Sequence, residues 1–336
     1  MSLIEVQNLS KTFRIAKRSS GPLGALRTLF AREYRAVRAV EGVSFTLEAG
    51  EMVGYLGPNG AGKSTTIKML TGILVPSGGQ ITVDGRVPHR QRVDHVRRIG
   101  VVFGQRSQLW WDLPTVESFE LLRHIYRIPL ARWQQNLAAF TELLELGPFL
   151  ETPVRQLSLG QRMRADLCAA LLHDPSILFL DEPTIGLDVV AKERIRQFLA
   201  HINRERGVTV ILTTHDLQDI ERLCARVVLI DHGRVIYDGA LEALRVRYGR
   251  QRTLVVDFAG EVNGLHTPTA ELVRREGPRA WLRFDRHATT AAALIADIAA
   301  RYPVRDLTVE EPEIEEIVRT IYESGSAAGE AGTIGR

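Results

Sequence analysis

Gly57-Pro58-Asn59-Gly60-Ala61-Gly62-Lys63-Ser64 reads G-x-x-x-x-G-K-S, the pattern of a nucleotide-binding P-loop. An apolar run, Met52 to Leu56, precedes it, and a helix-like run, Lys63 to Leu70, follows. Strand, glycine loop and helix are the context that this motif requires. The glycines let backbone N–H groups turn inward around a phosphate, and the helix N-terminus adds its unpaired donors and positive dipole end. Lys63 is placed to reach the β- and γ-phosphates as a point charge, and Ser64 to set its hydroxyl on Mg²⁺. The candidate binding stretch extends through Thr65 to Thr66.

The chain has 336 residues, enough for a full hydrophobic core and for two domains. Its formal charge of +3 is too slight to argue for nucleic acid. The basic residues are uneven, however: Lys17, Arg18, Arg27, Arg32 and Arg35 crowd one stretch with a single acid, Glu33. Such a stretch suits either solvent or an anionic surface. The two cysteines, Cys168 and Cys224, sit in apolar helical patterns without metal-ligand spacing, which fits a reducing compartment. Met1 to Ser10 lacks the apolar core of a signal peptide, and no apolar run reaches the length of a membrane span.

Strand-like and helix-like segments alternate along the first 247 residues, predicting an α/β domain with a largely parallel sheet. Residues 14–33 interrupt it as a basic insertion, and residues 105–172 read as a mainly helical subdomain. Asp188 is a natural N-cap for a helix ending near Arg206, with Gly207 just beyond it. Residues 252–323 read as a small α+β domain, with strands at 252–258, 280–284 and 304–309 and helices at 291–301 and 313–322. Ser324 to Arg336, rich in Gly, Ala and Ser, is expected to be a disordered tail.

A P-loop does not name a chemistry. The run Ile177-Leu178-Phe179-Leu180-Asp181-Glu182 adds to it. Four apolar residues read as a strand buried on both faces, and they carry Asp181 to its C-terminal end, where ligands sit in open α/β sheets. Asp181 is the candidate Mg²⁺ ligand, acting through water. Glu182 points differently and is the candidate base for the attacking water.

With these residues assembled, the chain resembles the ATP-binding cassette (ABC) ATPases. Leu157-Ser158-Leu159-Gly160-Gln161 resembles the family's L-S-G-G-Q signature, with Leu159 in place of the first glycine. Gln105 resembles its Q-loop glutamine, Ile185-Gly186-Leu187-Asp188 its D-loop and His215 its switch histidine. The resemblance implies a P-loop NTPase with a RecA-like core, an antiparallel β subdomain and a helical signature subdomain. It implies ATP and Mg²⁺ as ligands, with Gln105 as a further metal contact and catalytic residue beside Lys63 and His215. It implies an aromatic on adenine, for which Tyr34 is favoured over Phe13. It also implies a head-to-tail pair of cassettes, a homodimer or a pair with a close paralogue. In such a pair Ser158, Gly160, Gln161 and Asp188 of one chain meet nucleotide held by the P-loop of the other.

The cassette is similar to the ATP-binding subunits of ABC-2-type exporters, through residues 102–114, 156–164 and 180–188. That resemblance implies an ATPase at the cytoplasmic face of the membrane, peripheral through a separate transmembrane permease. The permease would dock near Gln105 to Pro114, where Trp110 and Trp111 suit an interface. A soluble ABC ATPase acting on ribosomes or DNA, and an importer subunit, are the alternatives. The transported substrate is not readable, because the permease selects it.

Overall fold

In the computed structural model the described residues are 2–16, 34–104, 106–262 and 264–330, the side chains of 324–330 excepted. Most of the basic insertion and the last six residues therefore lie outside them. Chain contacts divide the protein into units at residues 1–238 and 239–336.

The first unit holds two sheets. β1 (Ser2–Ala16), β2 (Tyr34–Glu48) and β4 (Gly78–Val83) form an antiparallel sheet in the order β2-β1-β4. β3 (Met52–Leu56) belongs to the other sheet, with β5 (Ile99–Phe103), β6 (Ile177–Asp181), β7 (Thr209–Thr213), β8 (Arg226–Asp231) and β9 (Arg234–Ala240). Its order is β5-β6-β7-β3-β8-β9, and the first five strands run parallel. Every residue of β3 and β7, and the four apolar residues of β6, are buried. Strands covered on both faces have no polar face to alternate, which is why they read as unbroken apolar runs.

Helix α1 (Lys63–Leu70) leaves β3 through the P-loop. Its Ile67, Met69 and Leu70 share a core with Ile4, Val6, Val43 and Ile81 of the antiparallel sheet and with Phe179 and Val228 of the parallel one. The P-loop helix thus joins both sheets in one core. A short α2 (Arg92–Val96) leads to β5. α3 (Thr115–Tyr126) buries Phe119 and α4 (Leu130–Leu143) buries Phe140, and the buried Trp133 donates its indole N–H to the Phe119 carbonyl at 3.2 Å. α5 (Leu159–Leu171) then carries the signature, and α6 (Val189–Arg206) and α7 (Leu217–Leu223) follow β6 and β7.

The second unit begins earlier than the sequence suggests. α8 (Leu241–Tyr248), expected inside the first domain, groups with it. Its sheet is β11-β12-β10-β13, built from β10 (Gln251–Phe258), β11 (Glu271–Glu276), β12 (Arg279–Asp285) and β13 (Val304–Glu310), all antiparallel. α9 (Ala291–Arg301) buries Leu294 and Ile298 against Leu254, Val256 and Leu282. α10 (Ile314–Glu330) packs on α8. The backbone of α10 stays helical to Glu330, into the stretch expected to be disordered.

One packing constraint positions the signature helix. A Cβ on Gly100 of β5 would stand 2.4 Å from the Ala170 carbonyl of α5 and 2.9 Å from Leu178 Cδ1. Gly100→Ala is expected to push α5 off the sheet and cost about 1–3 kcal/mol, read as a lower denaturant midpoint with an unchanged slope.

Candidate functional site

β3 and β6 deliver the P-loop and the acidic pair to the same sheet edge, the C-terminal end of the strands. There they border a cleft of about 640 Å³. Pro58, Asn59, Gly60, Gly62, Lys63, Ser64 and Thr65 line it, facing Asp181, Glu182 and His215. Gly62 turns the loop into α1 at φ 105°, and a Cβ there would meet the Ala39 carbonyl at 2.5 Å. Only glycine satisfies both conditions.

Three residues of the predicted stretch do other work. Gly57 lies so close to Ile230 that a Cβ would sit 2.4 Å from its carbonyl oxygen. Ala61 is buried, and its carbonyl accepts the Gly233 N–H at 3.0 Å. Thr66 is also buried; its hydroxyl accepts from Tyr55 at 3.3 Å, and its N–H donates to the Gly62 carbonyl at 2.9 Å. These residues hold the loop from behind. Gly233, in the tight turn between β8 and β9, also accepts the Glu41 N–H at 2.8 Å. That turn therefore ties the loop to β2, a contact with no local signal in the sequence.

Lys63 is 7% exposed. Its ammonium donates to the Gly57 carbonyl and, at 3.2 Å, to that of Pro58. Burial lowers its pKa, while the charges of Glu182 and Asp181 oppose that shift. Asp181 Oδ1 accepts the Thr213 hydroxyl at 2.5 Å, which fixes the carboxylate at the strand end. Glu182 adopts left-handed backbone geometry at φ 57°, a strained choice for a non-glycine residue. Its N–H donates to the Thr213 carbonyl at 2.9 Å. One carboxylate oxygen lies 3.1 Å from His215 Nε2, and the other accepts the His215 N–H at 3.2 Å. Burial raises the Glu182 pKa against the opposing His215 charge, which strengthens it as a proton acceptor.

Gly104, at the end of β5, closes the back of this pair. Its N–H donates to the Asp181 carbonyl at 2.7 Å, and a Cβ would lie 2.3 Å from the Glu182 carbonyl oxygen. Gln105 falls outside the described residues. Its neighbours Gly104 and Arg106 both line the cleft, together with Lys68, Ile73 and Phe103, which sequence reasoning had not marked.

The signature lies in a different cleft, of about 420 Å³, which shares no lining residue with the first. Ser158 and Gln161 form a capping box at the start of α5: the Gln161 N–H donates to Ser158 Oγ at 3.2 Å, and the Ser158 N–H to Gln161 Oε1 at 2.8 Å. The S-x-x-Q spacing carried that signal. Gly160 lines the same cleft, and Leu159 covers the D-loop there: a Cβ on Gly186 would come within 3.0 Å of Leu159 Cδ2. Asp188 caps α6 as expected, accepting the Ala191 N–H at 2.8 Å, and it borders the signature cleft.

Tyr34 opens β2 opposite Ala16 and is 51% exposed. The β2 residue in the P-loop cleft is Ala39, about 17 Å further along an extended strand. Phe13 pairs with Val37, two residues from Ala39. Between the pairs Thr12–Arg38 and Lys11–Val40 the register shifts, at Ala39 itself.

Behind His215 lies a network that no local pattern announced. Asp219, fully buried, accepts from Thr184 at 2.5 Å, from Arg196 Nε at 2.6 Å and from Thr214 at 3.4 Å. Asp216 pairs with Lys192 at 2.6 Å and Arg196 at 3.5 Å. Thr214 is thereby tied through Asp219 to α6 and to Thr184, just ahead of the D-loop, and Asp216 is tied to α6. Among the described residues no cluster of three or more His, Cys, Asp or Glu forms a metal cage. No helix among them is long and apolar enough to cross a membrane.

Comparison with known proteins agrees with this geometry. The ABC transporter family model matches residues 40–185. The ABC transporter ATP-binding protein NatA of Bacillus subtilis is 35% identical over 215 residues, covering 64% of this chain and 87% of that protein. A fluoroquinolones export ATP-binding protein of Mycobacterium tuberculosis is 38% identical, over 68% of this chain and 74% of its own. The linearmycin resistance ATP-binding protein LnrL of Bacillus subtilis is 30% identical over 294 residues, covering 85% and 94%. Among solved structures, an ATP-binding cassette seen as a dimer in a post-hydrolysis state with ADP and Pi superposes with a TM-score of 0.59. It is 27% identical and covers 71% of this chain and 98% of that one.

The buried network yields a stability test. Arg196→Met leaves Asp219 as an uncompensated buried charge and is expected to cost about 3–5 kcal/mol. Chemical denaturation of the purified chain measures it.

Proposed function

The chain belongs to the ABC transporter ATP-binding family, and we propose that it is the ATPase subunit of an exporter whose membrane permease is a separate chain. One observation carries this reading. Lys63, Asp181, Glu182 and His215 share the P-loop cleft, whereas Ser158 and Gly160 lie in a cleft of their own. A single chain thus brings two half-sites that do not meet within it. Two copies related head to tail, or this chain and a paralogue, unite P-loop and signature over each nucleotide. Ile185, Val189 and Val190, 40%, 79% and 62% exposed beside the signature, suit such an interface. Relatives that cassettes of this kind match include proteins named for export, and the alignment with LnrL is too long to end within the first unit.

The steps follow from the side chains. ATP places its phosphates on the loop N–H groups and the α1 N-terminus. The Lys63 ammonium exchanges loop carbonyls for β- and γ-phosphate oxygens. Ser64 and Asp181 offer the oxygen donors that hard Mg²⁺ prefers and fit it against the phosphates, with the expected third donor at Gln105. When bound, the metal offsets charge that develops on the leaving oxygen. Glu182 removes a proton from water, the water oxygen attacks the γ-phosphorus, and the bond to the β-phosphate oxygen breaks to release ADP. His215 holds both carboxylate oxygens and can turn to the γ-phosphate, which frees Glu182 for water.

For adenine, strand geometry weighs towards Phe13 rather than Tyr34. Phe13 lies beside the cleft register and already takes the Lys11 ammonium over its ring at 5.4 Å. For the permease, Trp110 and Trp111 are 39% and 52% exposed rather than packed in the core. Amphipathic aromatics at the surface suit an interface with a permease helix at the membrane face.

Glu182→Gln is expected to keep ATP binding, lower turnover by about 10²- to 10⁴-fold and trap an ATP-dependent dimer on size exclusion. Turnover near the parent value removes Glu182 from the base role. Phe13→Ala is expected to weaken ATP about tenfold, the value of one lost base–aromatic stack, and Tyr34→Ala much less. The opposite order in a nucleotide titration restores Tyr34. Co-purification with a membrane protein from detergent supports the exporter reading, and co-purification with ribosomes or DNA overturns it.

A further inference from the structure

Gly104 and Ser107 are both held fast. At one end Gly104 is pressed onto the Asp181 and Glu182 backbone. At the other, Asp166 of α5 takes hold of the chain. Its Oδ1 accepts the Ser107 hydroxyl at 2.9 Å and the Gln108 N–H at 3.1 Å. The Gln108 amide returns a bond to the Asp166 carbonyl at 3.2 Å, and the Leu109 N–H donates to Ser107 Oγ at 3.1 Å.

Asp166 is 5% exposed, and among the described residues it makes no ion pair. Burial pushes its pKa up to about 6, against the Ser107 and Gln108 bonds and the charge of Arg162. A buried carboxylate without a cationic partner is a costly way to hold a turn. It depends for its solvation on donors from the 107–108 segment. Arg162, one turn earlier on α5, lays its guanidinium over Trp111 at 5.6 Å. Asp166 stands eight residues beyond Ser158, about 12 Å down the same helix. One rigid element therefore carries the signature at its start and grips the Trp110–Trp111 segment along its side.

We propose that Asp166 is a positioning residue that locks residues 107–111 to the signature helix, so that nucleotide in the P-loop cleft changes the setting of Trp110 and Trp111. The inference rests on the ATPase reading of the cleft. Asp166 touches no nucleotide. It acts through Ser107 and Gln108, and without it the segment keeps only the Gln108 amide bond to the residue-166 carbonyl and the Arg162–Trp111 contact as ties to α5.

The test uses the full chain with Trp133→Phe and Trp281→Phe, so that Trp110 and Trp111 are the only tryptophans, and with Glu182→Gln to retain ATP. Tryptophan emission is recorded as Mg–ATP is added, and ATP affinity is measured separately by equilibrium dialysis. The parent is expected to show an ATP-dependent change in emission. Asp166→Ala is expected to reduce its amplitude by about fivefold or more, with the ATP dissociation constant within about twofold of the parent. Asp166→Asn, which keeps an acceptor for Ser107 and Gln108, is expected to restore most of the amplitude. Should Asp166→Ala not fold, Ser107→Ala removes one arm of the same contact and is expected to lower the amplitude at unchanged affinity. Full amplitude in the alanine variants, or loss of amplitude only in proportion to lost affinity, overturns the proposal. ATP binding without any emission change in the parent also overturns it, whereas absence of ATP binding would instead sink the reading of the cleft.

Discussion

The close approach of β5 to the end of β6 is the constraint on which the site depends. Gly104 leaves no room for a side chain, so the Asp181 and Glu182 carbonyls lie against its backbone. Thr213 grips the same two residues from β7, with its hydroxyl on the Asp181 carboxylate and its carbonyl on the Glu182 N–H. Strand ends on both sides thus define where the two acids point. The left-handed backbone of Glu182 is held by this framework rather than by its own preference. Strain of that kind persists only where neighbours over-determine the conformation, and here β5, β7 and His215 all do so.

The parts of the fold that were legible in the sequence are those whose cause is local. The P-loop needs glycine at Gly62 for its turn into α1, β6 needs four apolar residues because both faces are covered, and α6 needs a cap at Asp188. Each of these requirements falls within a few residues of its own position. The register of β1 against β2 is not of this kind. The shifts near Lys11 and Thr12 set which β1 residues pair with which β2 residues, and counting residues ahead of the P-loop does not reveal them. β11 was equally hidden. All six of its residues are exposed at a sheet edge, and Glu271-Leu272-Val273-Arg274-Arg275-Glu276 carries no alternation to read. The contact between Arg196 and Asp219 joins two helices across β7, and no spacing rule relates them.

Many polar groups of the two clefts have partners within the chain that resemble the groups a nucleotide would offer. Lys63 lies on carbonyl oxygens, Glu182 on His215, and Ser158 and Gln161 on each other. None of these bonds costs the site its chemistry. The Ser158 hydroxyl accepts from Gln161 and so still has its own proton to donate. Gly160 lies within the first turn of α5, where backbone N–H groups have no helical acceptor. The capping box therefore sets the orientation of the signature without using up the Ser158 hydroxyl proton or the Gly160 N–H.

A switch built this way needs rigid links from the nucleotide to distant surfaces, because a soft link would absorb the sub-ångström changes that one phosphate can cause. The buried polar groups fall where such links are needed. Asp219 and Arg196 bind the D-loop to the flanks of His215, and Asp166 binds α5 to the segment that carries the exposed tryptophans. An apolar side chain at either carboxylate would be cheaper to bury, but it could not hold the three donors that converge on Asp219 or the two that converge on Asp166. The cost of burying each carboxylate is thus offset by direction. A hydrogen bond to a carboxylate is lost over a small displacement, whereas apolar contact tolerates sliding. The polar contacts that look least economical for stability are therefore those that allow movement at the cleft to reach α5 and the D-loop.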